Sequence, residues 1–298
     1  MPRSKFIAIL EATFAVIVWG ASFVATKVAV REVSPVTVVW LRFAVGVAIL
    51  GLATLLRRQF ALPERGEVGY LALLGFLGIT FHQWLQSTGL VTAQATTTAW
   101  IVATMPIFIA VLGWLVLAEK LNRRQGVGIT LAVLGALLVL SKGDLAALAG
   151  GRFGTRGDIL VMLSAPNFAV FTILSRRGLQ RYPATRMMFF VMAFGWLFSS
   201  ILFIVRGGLR EWPAFSADGW LSIGFLGVFC SGLAYIFWYD ALKALPAAQA
   251  GAFLYLEPFV TVIVAVLILG EPLLGVSLLG GATILIGVWV VNRFTNAG

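Results

Sequence analysis

Glu257 lies about ten residues into an apolar stretch that begins at Ala247. In a helix that is about 15 Å from its start, at 1.5 Å per residue. If the stretch crosses a bilayer, this depth is the costliest place for a carboxylate. Such a group reads as a contact for a proton or a substrate ammonium; the plainer alternative is a neutral Glu bonded to a neighbouring helix. Pro258 follows it, and Pro106 sits similarly deep in an earlier stretch. A proline inside a helix deprives the carbonyl four residues earlier of its partner, here that of Val102 or Leu254. Both prolines read as hinges, and both carbonyls as acceptors a cation could use.

Aromatic and polar side chains fall at similar depth in several other stretches. Trp19, Trp100, Phe168, Phe171, Tyr235, Trp238, Tyr239 and Tyr255 supply rings, and Ser22, His82, Gln83, Gln86, Thr97, Thr98 and Asn167 supply polar groups. Many such rings simply pack or face lipid, and Ser or Thr can bond its own helix backbone. The candidate substrate-binding set is Trp19, Ser22, His82, Gln83, Gln86, Trp100, Asn167, Phe171, Tyr235, Trp238, Tyr255 and Glu257. Arg42, Glu119 and Glu271 form a candidate gate. Lys27 and Arg42 could instead snorkel outward. With His82 the only histidine and Cys230 the only cysteine, the sequence offers no metal or iron–sulfur ligand set and no internal disulfide.

The elements that must position these residues follow from composition. Of 298 residues 60% are hydrophobic and 11% charged, where a soluble domain carries about 25% charged. The chain is therefore an all-α polytopic membrane protein. About 20 apolar residues cross a bilayer core as a helix. Ten such stretches are predicted: Phe6–Ala29, Pro35–Leu56, Glu67–Thr88, Gln94–Ala118, Arg124–Ser141, Asp158–Leu174, Pro183–Val205, Asp218–Leu242, Ala247–Leu269 and Leu274–Arg293. The first is too long for a signal-peptide core and reads as a retained span.

The net charge of +10 is spread over the gaps between spans, in pairs such as Arg57 and Arg58 or Arg176 and Arg177. That pattern suits contact with anionic lipid, not nucleic acid. With the N-terminus placed inside, thirteen Lys and Arg fall on inner segments and six on outer ones. The asymmetry predicts both termini in the cytoplasm. The central link opposes it, with Lys142, Arg152 and Arg156.

The halves repeat. Gly75-Phe76-Leu77-Gly78 returns as Gly224-Phe225-Leu226-Gly227. A shift of 152 brings Pro106 onto Pro258, Glu119 onto Glu271, Gly128 onto Gly280 and Gly135 onto Gly287. A shift of 148 brings Ala21, Phe23 and Pro35 onto Ala169, Phe171 and Pro183. Each half holds five spans, so the second must enter the membrane from the opposite side, the construction many secondary transporters use. The predicted division is 1–142 and 158–298, with 143–157 as linker.

Trp19-Gly20-Ala21-Ser22-Phe23, then Lys27, Pro35 and Arg42-Phe43, resembles the opening of a repeat in the drug/metabolite transporter superfamily. Pro106 with Glu119-Lys120-Leu121, and Glu257-Pro258 with Glu271-Pro272-Leu273, resembles its fourth-span pattern. Asn167-Phe168 replaces Trp-Gly in the second half. The resemblance covers nearly the whole chain as two EamA-type modules, and is greatest to bacterial YddG-type amino-acid exporters. It implies a secondary transporter in the bacterial inner membrane that exports small metabolites, amino acids above all, by alternating access. The expected partners are the solute and the lipid bilayer, with a monomer or a homodimer as the assembly and no cofactor.

No G-x-x-x-x-G-K-[ST] loop occurs, so direct ATP drive by this chain is excluded. Two other classes are weighed. A channel would show a ring of carbonyls or charges, and none is evident. A membrane-embedded enzyme could use Ser22 or Ser231 with His82, but neither serine sits in a G-x-S-G turn.

Overall fold

The computed structural model describes residues 5–117, 121–144, 154–245 and 247–293. Among the described residues ten helices are long and apolar enough to cross a membrane: α1 Lys5–Ala29, α2 Pro35–Leu56, α3 Arg65–Leu90, α4 Ala95–Val116, α5 Arg123–Ser141, α6 Arg156–Arg181, α7 Ala184–Val205, α8 Ala217–Ala244, α9 Gly251–Leu269 and α10 Gly275–Arg293. No strand occurs among the described residues. In lipid each span must satisfy its own backbone, and helices do so.

Local chemistry sets the ends. Ser34 caps α2, accepting a bond from Thr37 N, with Pro35 in the first turn where its missing N–H is harmless. Capping boxes start α5, from Asn122 and Gln125, and α6, from Thr155 and Asp158.

The sequence places the end of α6 at Leu174; the helix continues to Arg181. The charges of Arg176, Arg177 and Arg181 read as a loop, but a helix leaving the hydrocarbon can carry charge on its last turns. Two contacts hold this extension. Tyr70 Oη donates to Leu174 O at 2.7 Å and accepts from Gly178 N at 2.9 Å, inserting into the helical ladder. Arg177 and Arg181 both reach Glu67, at 3.0 and 2.5 Å.

Packing obeys a two-fold exchange of the halves. Helix α1 packs on α8 and α9 as α6 packs on α3 and α4; α2 meets α8 as α7 meets α3; α5 meets α10. The repeated Gly-Phe-Leu-Gly enters a π-helical segment in each half, Phe76–Phe81 in α3 and Phe225–Leu233 in α8. At the α5–α10 contact, a Cβ at Gly128 would lie 2.7 Å from Gly287 O, and one at Gly135 would lie 2.6 Å from Gly280 O. These pairs are antiparallel, and each maps onto the other when the halves are exchanged, as an inverted repeat requires. Small residues let the two backbones approach closely. Gly135→Leu is therefore expected to cost about 1–3 kcal/mol through overpacking. Thermal unfolding of the purified variant in detergent checks this; an unchanged midpoint would mean the contact is slack.

Candidate functional site

The spans enclose a cavity of about 320 Å³, within the range of small-molecule sites, about 300–1,000 Å³. Every span except α5 contributes to its lining. Trp19 and Ser22 come from α1, Arg42 from α2, His82, Gln83 and Gln86 from α3, and Pro106 from α4. Phe168 and Phe171 come from α6, Met188 from α7, Tyr235, Trp238 and Tyr239 from α8, Tyr255, Glu257 and Pro258 from α9, and Asn292 from α10.

One wall is aromatic. The Trp19 ring meets Tyr235 edge-on at 5.6 Å and lies 5.5 Å from Trp238. Its Nε1 donates to Cys230 O at 3.0 Å, which fixes the indole while leaving a ring at the cavity. His82 lies 5.1 Å from Phe168, which lies 5.8 Å from Phe171. Such rings offer dispersion and stacking with few directional demands.

The polar groups divide by whether the protein satisfies them. Ser22 Oγ donates to Trp19 O at 2.6 Å, within its own helix. Tyr255 Oη accepts from Asn292 Nδ2 at 2.8 Å. His82 Nδ1 has no hydrogen-bond partner among the described residues. The Glu257 carboxylate has neither a hydrogen bond nor an ion pair among the described residues. The backbone around it is tied down: Thr261 Oγ1 bonds Gly20 O at 2.8 Å and Glu257 O at 3.0 Å. The group is thus held in place yet left uncompensated.

Several expected placements are corrected. Trp100 does not line the cavity; it is 2% exposed and packs between Gly281 and Phe259, in a core with Val262 and Ile284. Asn167 is also outside the lining: its Nδ2 donates to Leu77 O at 2.9 Å, joining α6 to the π-helical part of α3. Thr97 and Thr98 are buried away from the lining. Arg42 does not snorkel; it is a buried part of the cavity wall.

Lys27 is held by backbone. It donates to the carbonyls of Leu90, at 3.2 Å, and of Ala93, at the end of α3. Glu271 accepts from Ala95 N at 2.8 Å, Thr96 N at 3.0 Å and Thr96 Oγ1 at 2.8 Å, binding the start of α4. The loop between α3 and α4 is clamped from both sides. Glu119, the repeat mate of Glu271, lies outside the described residues.

The prolines do interrupt their spans. Helix α4 breaks at Ala103 and Thr104, one turn before Pro106 is cleared. In α9 a 3-10 segment, Leu254–Leu256, precedes Pro258. The Leu254 carbonyl is not freed as expected, because the tighter turn lets Glu257 N–H donate to it. Both Val102 and Leu254 still border the cavity.

Several lining residues escape the sequence reading, Asn292, Met188 and Thr26 among them. Asn292 adjoins Arg293 at the end of the last span and looks like a boundary residue. Met188 sits among apolar neighbours and carries no signal. Thr26, one turn beyond Ser22, looks like another self-satisfied hydroxyl. Among the described residues no hydrogen bond joins His82 to Ser22, which bonds Trp19 O, or to Ser231, which bonds Arg42.

The chain is similar to the EamA-like transporter family, whose pattern matches twice, over residues 6–141 and 155–293. A protein of Archaeoglobus fulgidus named an uncharacterized transporter is 26% identical over 276 residues, 93% of this chain and 94% of its own length. A protein of Streptantibioticus cattleyicolor named a probable terminal-alkyne amino-acid exporter is 28% identical over 304 residues, 99% of this chain and 96% of its own. One crystal structure superposes with a TM-score of 0.67 at 21% identity, covering 97% of both chains, a likeness of fold alone.

Proposed function

The chain belongs to the EamA-like transporter family, and from that premise we propose that it exports amino acids, neutral and aromatic ones included, by alternating access. The observation that carries the reading is the cavity itself, with rings on one wall and an uncompensated carboxylate on another. A carboxylate attracts the substrate ammonium, and rings accept varied side chains by stacking and dispersion. Few directional contacts reach the side chain, so the specificity is broad. The 28% identity to a protein named as a probable amino-acid exporter points the same way. The exchange-symmetric packing supports two repeats, 1–142 and 158–298, that rock about a central site.

Counterflow in proteoliposomes tests this. Saturable exchange of labelled for unlabelled amino acid is the expected result. Flux that never saturates would favour a channel, and product without flux an enzyme. Cells carrying the protein in excess are likewise expected to resist toxic amino-acid analogues.

We place the protein in a bacterial inner membrane with both termini in the cytoplasm, on the charge asymmetry. Single-cysteine labelling is expected to find Arg123 and Arg177 inside, with Gly150 and Pro213 outside. Finding Gly150 and Arg123 on one side would overturn the orientation of the second half.

A further inference from the structure

Arg42 is the other uncompensated charge of the cavity. It is 5% exposed and lines the same space as Glu257. A guanidinium has five N–H donors. Arg42 directs Nε to Ser231 Oγ at 3.0 Å and Nη1 to Gln83 Oε1 at 3.3 Å, and both partners are neutral. Its guanidinium carbon lies 5.0 Å from the Phe43 ring centroid. No acidic side chain pairs with it among the described residues. A buried cation without a counter-charge is costly, and an intramembrane arginine characteristically faces a water-filled cavity or a partner. Here the protein holds the guanidinium on two neutral acceptors and leaves Nη2 with no partner among the described residues.

We propose that Arg42 anchors the carboxylate of the transported solute, so that the cavity selects molecules carrying a carboxylate and an ammonium together. The assignment rests on the amino-acid reading above and deepens it, since aromatic walls and Glu257 alone would take organic amines equally well. A guanidinium matches a carboxylate in a planar, two-pronged pair. A chain of contacts brings the two charges onto neighbouring walls. Arg42 bonds Ser231; the adjacent Cys230 carbonyl takes the Trp19 indole; Gly20 packs so closely on α9 that a Cβ there would lie 2.7 Å from Glu257 O. Arg42 and Glu257 together sum to zero charge, as a zwitterion does. A phosphate dianion would find one guanidinium for two charges and a carboxylate nearby to repel it. The Trp19, Tyr235 and Trp238 rings line the same cavity as both charges and can receive the side chain.

The test uses the full chain in proteoliposomes and counterflow of labelled phenylalanine. The competitors are phenylalaninamide and phenethylamine, which lack the carboxylate, and 3-phenylpropionate, which lacks the ammonium. For the wild type, each is expected to compete about a hundredfold more weakly than phenylalanine, because each leaves one buried charge unpaired. Arg42→Gln is expected to weaken phenylalanine to the level of its amide while leaving the amide's own competition unchanged. Arg42→Lys should recover part of the difference. A merely structural role would weaken all ligands alike. Wild-type protein that takes phenylalanine and phenethylamine equally would overturn the assignment of Arg42 and leave amino-acid export standing; that ranking needs no variant to fold. Retention of full discrimination by folded Arg42→Gln would also overturn it. Absence of flux for every amino acid would overturn the amino-acid reading, and this assignment with it.

Discussion

Glu257→Gln is expected to lower amino-acid counterflow by about a hundredfold while leaving the protein folded. Gln matches Glu in shape and hydrogen-bonding reach, and the Glu257 carboxylate makes no bond among the described residues that Gln would break. What Gln lacks is charge. Truncating one side of a buried, bonded charge pair costs about 2–5 kcal/mol, and the pair in question forms only when a substrate ammonium enters. The pH dependence has a definite sign. Protonation of Glu257 removes its attraction for the ammonium, so wild-type affinity should fall as pH falls through the range where Glu257 titrates. The variant has no such group, and its profile should be flat unless another cavity group contributes. The ionisable neighbours that share the cavity are Arg42, His82, Tyr235, Tyr239 and Tyr255, and a residual slope would point to His82. Flux of the purified variant at two pH values decides the matter. Full activity with the wild-type pH profile would return Glu257 to the residues that only pack.

Glu271→Ala is expected to open the face of the protein on which Glu271 lies. Its two oxygens gather the first two amides of α4 and the Thr96 hydroxyl, while Lys27 holds the last carbonyls of α3 from the other side. Removing the carboxylate leaves two amides at a helix start without their acceptor. Hydrogen bonds to a charged group contribute about 1.5–3 kcal/mol each, and solvent replaces part of that on opening. A net bias of about 2 kcal/mol, some thirtyfold in population, is the expected scale. A pair of spin labels on the exposed positions Val91 and Leu273 reads the change. The wild type should give one short distance, and the variant a second, longer component together with slower counterflow. A single unchanged distance would reduce Glu271 to a cap of α4 with no part in gating.

Much of this protein was legible in its sequence because a bilayer judges each span separately. A helix in hydrocarbon must satisfy its own backbone and present about 20 apolar residues, whatever its neighbours do. Hydropathy therefore located all ten spans, and the matched Gly, Pro and Glu positions exposed the repeat before any helix was packed. Depth is likewise a property of one chain segment, so Glu257 and Trp19 could be placed near mid-membrane by counting. Rotation about the helix axis could not be read in this way. These spans are apolar on all sides, which erases the amphipathic stripe that tells core from surface in a soluble helix. Trp19 and Trp100 are thus equal in sequence; only packing sends one to the cavity and the other against Gly281. Asn167 looks like a substrate ligand until α3 presents Leu77 O to it. The decisive polar contacts join residues far apart in the chain: Arg42 with Ser231, Glu271 with Ala95, Trp19 with Cys230. Each exists because two spans cross at one depth in one rotation, and that choice belongs to the packed bundle of helices.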